Sequence, residues 1–227
     1  MKIETLKKNL TQFLSLLLCI TLLGCSSEGE NDGVNSDSYL WFISGEINGE
    51  SFVYGQELSN TTQTYDIVRT NTSSSTCAYS EDNGFSYDFS LYPFHNESLP
   101  TVGFEFNRMH ICRNTNSQNE IFNSLFPKKE YDFAEDNRDE DKNGGKVGVY
   151  YLPSANSDAA VYTTYNSDLS NNYFEITKSE GINQSAGSFA VVRQNVEGVF
   201  SVTLYNENDP NDKVVITNGR FKLVLIP

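Results

Sequence analysis

Residues 136 to 150, DNRDEDKNGGKVGVY, carry a run of oxygen ligands. Asp139, Asp141, Asn143 and Gly144 fall at the first, third, fifth and sixth places of a calcium loop, where alternate oxygens face the ion and glycine permits the sharp turn. The twelfth place, which calls for a bidentate glutamate, is Tyr150, and Lys142 and Lys146 compete for the same acids. Two readings stand: calcium held by Asp139, Asp141 and Asn143, or a solvated, charged hairpin tip. The two histidines, His95 and His110, are not at ligand spacing to each other or to a cysteine pair, and His110 in FEFNRMHICR falls on a strand pattern. There is no G-x-S-x-G elbow, no glycine-rich phosphate loop and no H-E-x-x-H. Carboxylates are plentiful, and two of them facing each other at about 5 to 9 Å would serve a glycan hydrolase as acid and base, but spacing alone selects no pair. The reading is therefore a binding or structural module with no catalytic residue named, and a glycan-acting hydrolase is the alternative. With 13 tyrosines and 15 phenylalanines, sugar stacking enters as a function. Trp41, Tyr54, Tyr150, Tyr151, Tyr162, Tyr165 and Tyr173 could supply the rings, although such residues are also favoured in strands.

Charge and cysteines bound the address. The segment MKIETLKKNL is basic, FLSLLLCITLLG is uncharged, and the apolar run is shorter than the ~20 residues a membrane-spanning helix needs. Residues 1–24 read as a signal peptide. The apolar run ends Leu22-Leu23-Gly24-Cys25, which resembles the lipobox of bacterial lipoproteins; the resemblance implies a Cys25 thiol alkylated with diacylglycerol and a mature chain beginning at Cys25. The other reading is a plain secretory leader. Two or three acyl chains hold a protein on its membrane because each buried methylene contributes about 0.8 kcal/mol. The chain carries 16 basic and 30 acidic residues; removing Lys2, Lys7, Lys8 and Glu4 with the leader leaves 13 against 29, or −16. Such a field opposes nucleic acid and anionic surfaces as partners. Cys77 and Cys112 are the cysteines left beyond the anchor, and in an oxidising compartment a disulfide between them would contribute roughly 3 to 4 kcal/mol. Two free thiols, or a reactive one, are the other readings.

Residues 25–38, from the lipidated cysteine through SSEGENDGVNSDS, predict a flexible acidic tether. Ser26, Ser27, Glu28, Glu30 and Asp32 resemble the export signal of surface-exposed lipoproteins in Bacteroidota. The implied location is the cell envelope, anchored in the outer membrane and exposed at the surface. From Tyr39 to Pro227 the sequence predicts a single all-β domain, an antiparallel β-sandwich or flattened β-barrel. Alternation carries this: Phe85, Tyr87, Phe89, Leu91; Val102, Phe104, Phe106; Val147, Val149, Tyr151; Phe200, Val202, Leu204; Phe221, Leu223, Leu225. Asn-Gly in INGESF, EDNGF and TNGRF predicts three two-residue hairpin turns, and NENDPNDK a longer hairpin loop. At most a short helix is expected near 119–126, stopped by Pro127.

SGEINGESF, VYTTYNSDLSNNYFEITKS and AGSFAVVRQNVEGVFSVTLYNENDPNDKVVITNGRFKLVLIP together resemble the β-rich lipoproteins of Bacteroidota. That resemblance implies fold and address and carries no activity or site residues. Its partners would be the membrane, through the lipid, and a glycan or envelope protein. Cys25→Ser is expected to abolish labelling by a fatty-acid analogue and to release the protein from membranes; persistent labelling would exclude Cys25 as the attachment point.

Overall fold

Residues that alternate in the sequence alternate in the structure between a shared core and the outer face. Val102, Phe104 and Phe106 are at most 2% exposed, as are Phe200, Val202 and Leu204, so each run lays one side chain in two against the interior. The computed structural model describes residues 34–73, 85–109, 126–135, 145–156, 158–165, 168–186 and 189–225. Among them are eleven strands: β1 (Tyr39–Ile47), β2 (Glu50–Glu57), β3 (Tyr65–Ser73), β4 (Phe85–Pro93), β5 (Thr101–Met109), β6 (Lys129–Glu130), β7 (Lys146–Leu152), β8 (Tyr162–Thr163), β9 (Tyr173–Ala186), β10 (Phe189–Asn206) and β11 (Asp209–Leu225). No α-helix occurs among the described residues, and the part of the expected helix before Phe126 lies outside them.

The strands form one antiparallel sheet in the order β2-β1-β11-β10-β8-β7-β5-β4-β3, with β9 lying along β10 and β6 along β9. The sheet is not closed into a barrel; it is consistent with a β-sandwich. Phe104 of β5 lies between the layers, its ring centroid 5.2, 5.3 and 4.9 Å from those of Phe174, Phe200 and Phe221 on β9, β10 and β11. These tilted and edge-on contacts place ring edges against ring faces, the favoured aromatic geometry. Phe126 extends the cluster toward Phe89 and Phe106.

Turn chemistry is correct in one case and different in two. Asn48 and Gly49 stand at φ +52° and +87°, as the β1–β2 hairpin requires. Asn218 also has positive φ, but TNGRF is not a hairpin: β11 runs through it, paired with β1 on one side and β10 on the other. Pairing shifts register there against both neighbours, between Ser44 and Glu46 and between Phe200 and Val202. Asn218-Gly219 therefore builds a bulge, and Glu46 holds it by accepting from Thr217 Oγ1 at 3.3 Å and Asn218 Nδ2 at 3.2 Å. In NENDPNDK the chain reverses at once, Asn206 opposite Asp209, and the surplus residues bulge out of β11. EDNGF lies mostly outside the described residues. Three strands, β9 to β11, are 14, 18 and 17 residues long, and β10 and β11 run well beyond the alternating residues that mark them in the sequence.

The two ends of the strand order, β2 and β3, are linked by a side chain. Gln56, 7% exposed, donates through Nε2 to Asn60 O at 2.9 Å and accepts at Oε1 from the Thr64 N–H at 3.1 Å. Its amide thus satisfies backbone groups of the connection that no sheet partner reaches. The compact unit begins at Asn35, ahead of Tyr39. Ser36–Ser38 form a 3-10 turn whose Ser36 carbonyl, with that of Tyr39, accepts from Lys222 Nζ at 2.8 and 2.9 Å.

Phe104→Ala is expected to lower stability by about 3 to 5 kcal/mol through a cavity shared by both layers, read from denaturant midpoints at constant slope. Gln56→Ala leaves Thr64 N–H without its acceptor and is expected to cost about 1 to 3 kcal/mol by the same measurement.

Candidate ligand-binding site

Four tyrosines from four strands meet at one edge of the core. Inward alternation on β2 places Phe52, Tyr54 and Gln56 on one face, and the β2–β3 connection brings Tyr65 beside them. Tyr54 stacks on Tyr65 with centroids 5.4 Å apart and planes 27° from parallel, and Phe52 lies 4.6 Å from Tyr54. The hydroxyl of Tyr151 on β7 interacts with that of Tyr54, and its ring is 6.2 Å from that of Tyr162 on β8. The Tyr162 hydroxyl donates to Asp212 at 2.8 Å, and Asp212 also accepts from Asn206 Nδ2 at 2.9 Å. The result is three half-buried rings, Tyr54, Tyr151 and Tyr162, beside the buried Tyr65, with one amide-supported carboxylate at the margin. Trp41, facing Gln56 across β1 and β2, keeps a buried Nε1 donor with no acceptor among the described residues.

The electrostatics keep these hydroxyls neutral. Burial pushes Tyr65 up to about 12 and Tyr54 higher still, and it raises Tyr151; for Tyr162 the hydrogen bond to Asp212 is the larger cause, ahead of burial. Asp212 is held below the usual carboxylate range, first by Asn206 and then by Tyr162. Neutral hydroxyls beside apolar rings can bind an uncharged polyhydroxyl compound by donating, accepting and stacking.

A second constellation lies on the opposite face. Asp88 of β4 and Glu105 of β5 are direct cross-strand partners. The Tyr150 hydroxyl donates to Asp88 Oδ1 at 3.0 Å, and the Tyr165 hydroxyl donates to Glu105. Both side chains occupy the space over glycines: a Cβ on Gly103 would come within 2.2 Å of the Tyr150 ring, and one on Gly148 within 2.2 Å of the Tyr165 hydroxyl. Burial first, and the Asp88 charge second, push the Tyr150 hydroxyl far up. These groups sit side by side on one sheet face, and each carboxylate already holds a tyrosine.

The seven aromatic candidates therefore separate. Tyr54, Tyr151 and Tyr162 come together, with Trp41 near them; Tyr150 and Tyr165 belong to the other face; Tyr173 donates to Glu175 elsewhere on β9. Tyr65, Gln56, Asn206 and Asp212 were not marked by any local pattern, because their role arises from the meeting of β2 with β3 and of β8 with the β10–β11 turn. His95 is exposed at φ +56° against Phe94. Cys25, Cys77, Cys112, His110 and the calcium candidates Asp139, Asp141 and Asn143 lie outside the described residues. Among the described residues no three His, Cys, Asp or Glu side chains are grouped to hold a metal, and no helix is long and apolar enough to cross a membrane. Compared with protein-family models, curated proteins and solved structures, the chain has no significant match.

The raised tyrosines set a pH dependence. An unfolded tyrosine ionises near 10, so between about 10 and the folded value of about 12 for Tyr65 the unfolded chain binds fewer protons than the native one. Stability from this group is complete below the unfolded value and is lost as pH rises through the folded one. Tyrosinate absorbance is expected to appear in two portions, the later one coinciding with loss of near-ultraviolet circular dichroism. A single early portion with the fold intact would show that these hydroxyls are solvated.

Proposed function

We propose that this protein is a lipid-anchored module of the bacterial cell envelope, held at the outer membrane, facing outward and binding a ligand. The address rests on the lipobox-like Leu22–Cys25 and the acidic tether. The binding role rests on one observation: Tyr54, Tyr151 and Tyr162, from two distant parts of the chain, present half-buried rings and neutral hydroxyls at one edge of the core, over the buried Tyr65. A strongly acidic chain disfavours anionic ligands, so a neutral glycan or a glycan-bearing envelope component is the ligand class. The hydrolase alternative would rest on Asp88 and Glu105. Their neighbouring places on one face do not set an acid and a base on opposite sides of a bond, and the binding reading is preferred.

The test is a glycan array with the purified full chain, followed by titration calorimetry against neutral oligosaccharides. Tyr151→Phe and Tyr162→Phe each remove one hydroxyl while keeping the ring, and each is expected to weaken binding by about tenfold, or about 1.4 kcal/mol. Unaltered affinity in both variants, or no binding by the native chain, would overturn the proposal.

A further inference from the structure

Five large apolar side chains stand exposed among the described residues: Leu40, Val53, Leu58, Val68 and Phe94, at 40 to 59%. Val53 and Val68 lie within β2 and β3, opposite Ser44 and Ser90. The other three share the end of the fold at which the compact unit begins. The Leu58 N–H donates to Ser38 O at 2.8 Å, on the 3-10 turn that follows Asn35, and Leu40 stands two residues beyond Ser38. The Gln56 amide holds the β2–β3 connection at Asn60 and Thr64, and the Phe94 N–H donates to Thr64 O at 2.8 Å. One run of hydrogen bonds thus joins the turn, the connection and Phe94 into a single rim.

A scattered leucine on a surface needs no explanation, but three large apolar side chains on one rim do. The connection itself, residues 58–64 LSNTTQT, carries no charged residue in a chain whose residues are 20% charged. Its serine, threonines, asparagine and glutamine can lie among lipid headgroups without a charge having to leave water. Leucine and phenylalanine enter the boundary between headgroups and acyl chains readily.

Chain length decides the occupant. Eight residues, Ser26 to Gly33, separate Cys25 from Val34, and even fully extended they span only about 30 Å. On the reading proposed above, in which acyl chains on Cys25 lie in a bilayer, the rim where the chain enters the domain is the part that bilayer meets. A surface held so close needs little affinity of its own, because the link supplies a high effective concentration. The exposed acids at this end, Asp37, Glu57 and Glu97, disfavour anionic lipid. We propose that Leu40, Leu58 and Phe94 dock the domain on zwitterionic lipid of the same bilayer that holds Cys25. The inference rests on the lipid-anchor reading and adds to it a fixed face toward the membrane.

The experiment places the lipidated chain in phosphatidylcholine vesicles whose acyl chains carry bromine, which quenches tryptophan on contact. Trp41 is the chain's one tryptophan, so the native chain supplies the background. Leu58→Trp adds a probe on the rim, and Val68→Trp adds one at an exposed position inside β3. The chain is expected to float with the vesicles, the emission added by Leu58→Trp to be lost and that added by Val68→Trp to persist. Combining Leu58→Trp with Leu40→Asp and Phe94→Asp is expected to restore the emission while the chain still floats. A floating chain in which Leu58→Trp is unquenched, in which both positions are quenched alike, or in which the two aspartates change nothing would overturn the docking and leave the anchor standing. A chain that does not float would overturn the anchor reading and the docking with it.

Discussion

The structure depends on Phe104 meeting Phe174, Phe200 and Phe221. A sheet whose strands follow one another from β2 to β3 has no intrinsic reason to fold over, because backbone pairing fixes neighbours and not curvature. What brings the β3–β7 portion against the β9–β11 portion is the apolar face each must hide, and the four phenylalanines are where the two faces meet most closely. Large rings at alternating positions give each strand much area to bury, roughly 25 cal/mol per Å². Edge-to-face geometry then fixes how the layers sit, so the core specifies an arrangement as well as a compact state.

Once the layers are set, the perimeter must be finished without barrel closure. β2 and β3 are joined by Gln56 and the Tyr54–Tyr65 stack, side-chain contacts at an edge where strand pairing would have been the other solution. A perimeter made of side chains has room for polar groups that a closed ladder would consume, and here the tyrosine hydroxyls gather. On the opposite face, Gly103 and Gly148 make floors for Tyr150 and Tyr165, whose hydroxyls occupy Asp88 and Glu105. The same residue type thus does two jobs. Laid over glycine, tyrosine covers backbone and neutralises a carboxylate's hydrogen-bonding demand; at the margin of the core it offers a ring and a hydroxyl outward.

Much of the fold was legible because β-structure writes itself at a spacing of two. The runs at Val102, Val147, Phe200 and Phe221 could be read directly: Val102, Phe104, Phe106, Val147, Val149, Phe200, Val202, Leu204, Phe221 and Leu223 are all buried. TNGRF misled because a type I′ turn and a bulge ask for the same local backbone, a positive φ at asparagine. The difference lies in β1 and β10, which pair with β11 on either side of it, and β1 lies far away in the sequence. Strand length escaped for a related reason: β10 spans 18 residues because different partners, β9, β11 and β8, pair with successive parts of it. The clustered tyrosines were half legible. Tyr54, Tyr151 and Tyr162 belong to a set defined by composition, yet composition could not separate them from Tyr150 and Tyr165, since neighbours in sequence point to opposite faces of a sheet.

By itself, the sequence determined that this chain is an antiparallel all-β protein, because alternation and Asn-Gly chemistry act within a few residues and need no partner. It also determined the chain's strong negative charge. Tertiary structure alone decided which strands became neighbours, that Asn218-Gly219 bends a strand where it might have ended one, and which tyrosines share a site. Those outcomes turn on contacts between residues far apart in the chain, such as Tyr54 with Tyr151 and Glu46 with Thr217. No local pattern encodes such a meeting; it exists only when two apolar faces have found each other.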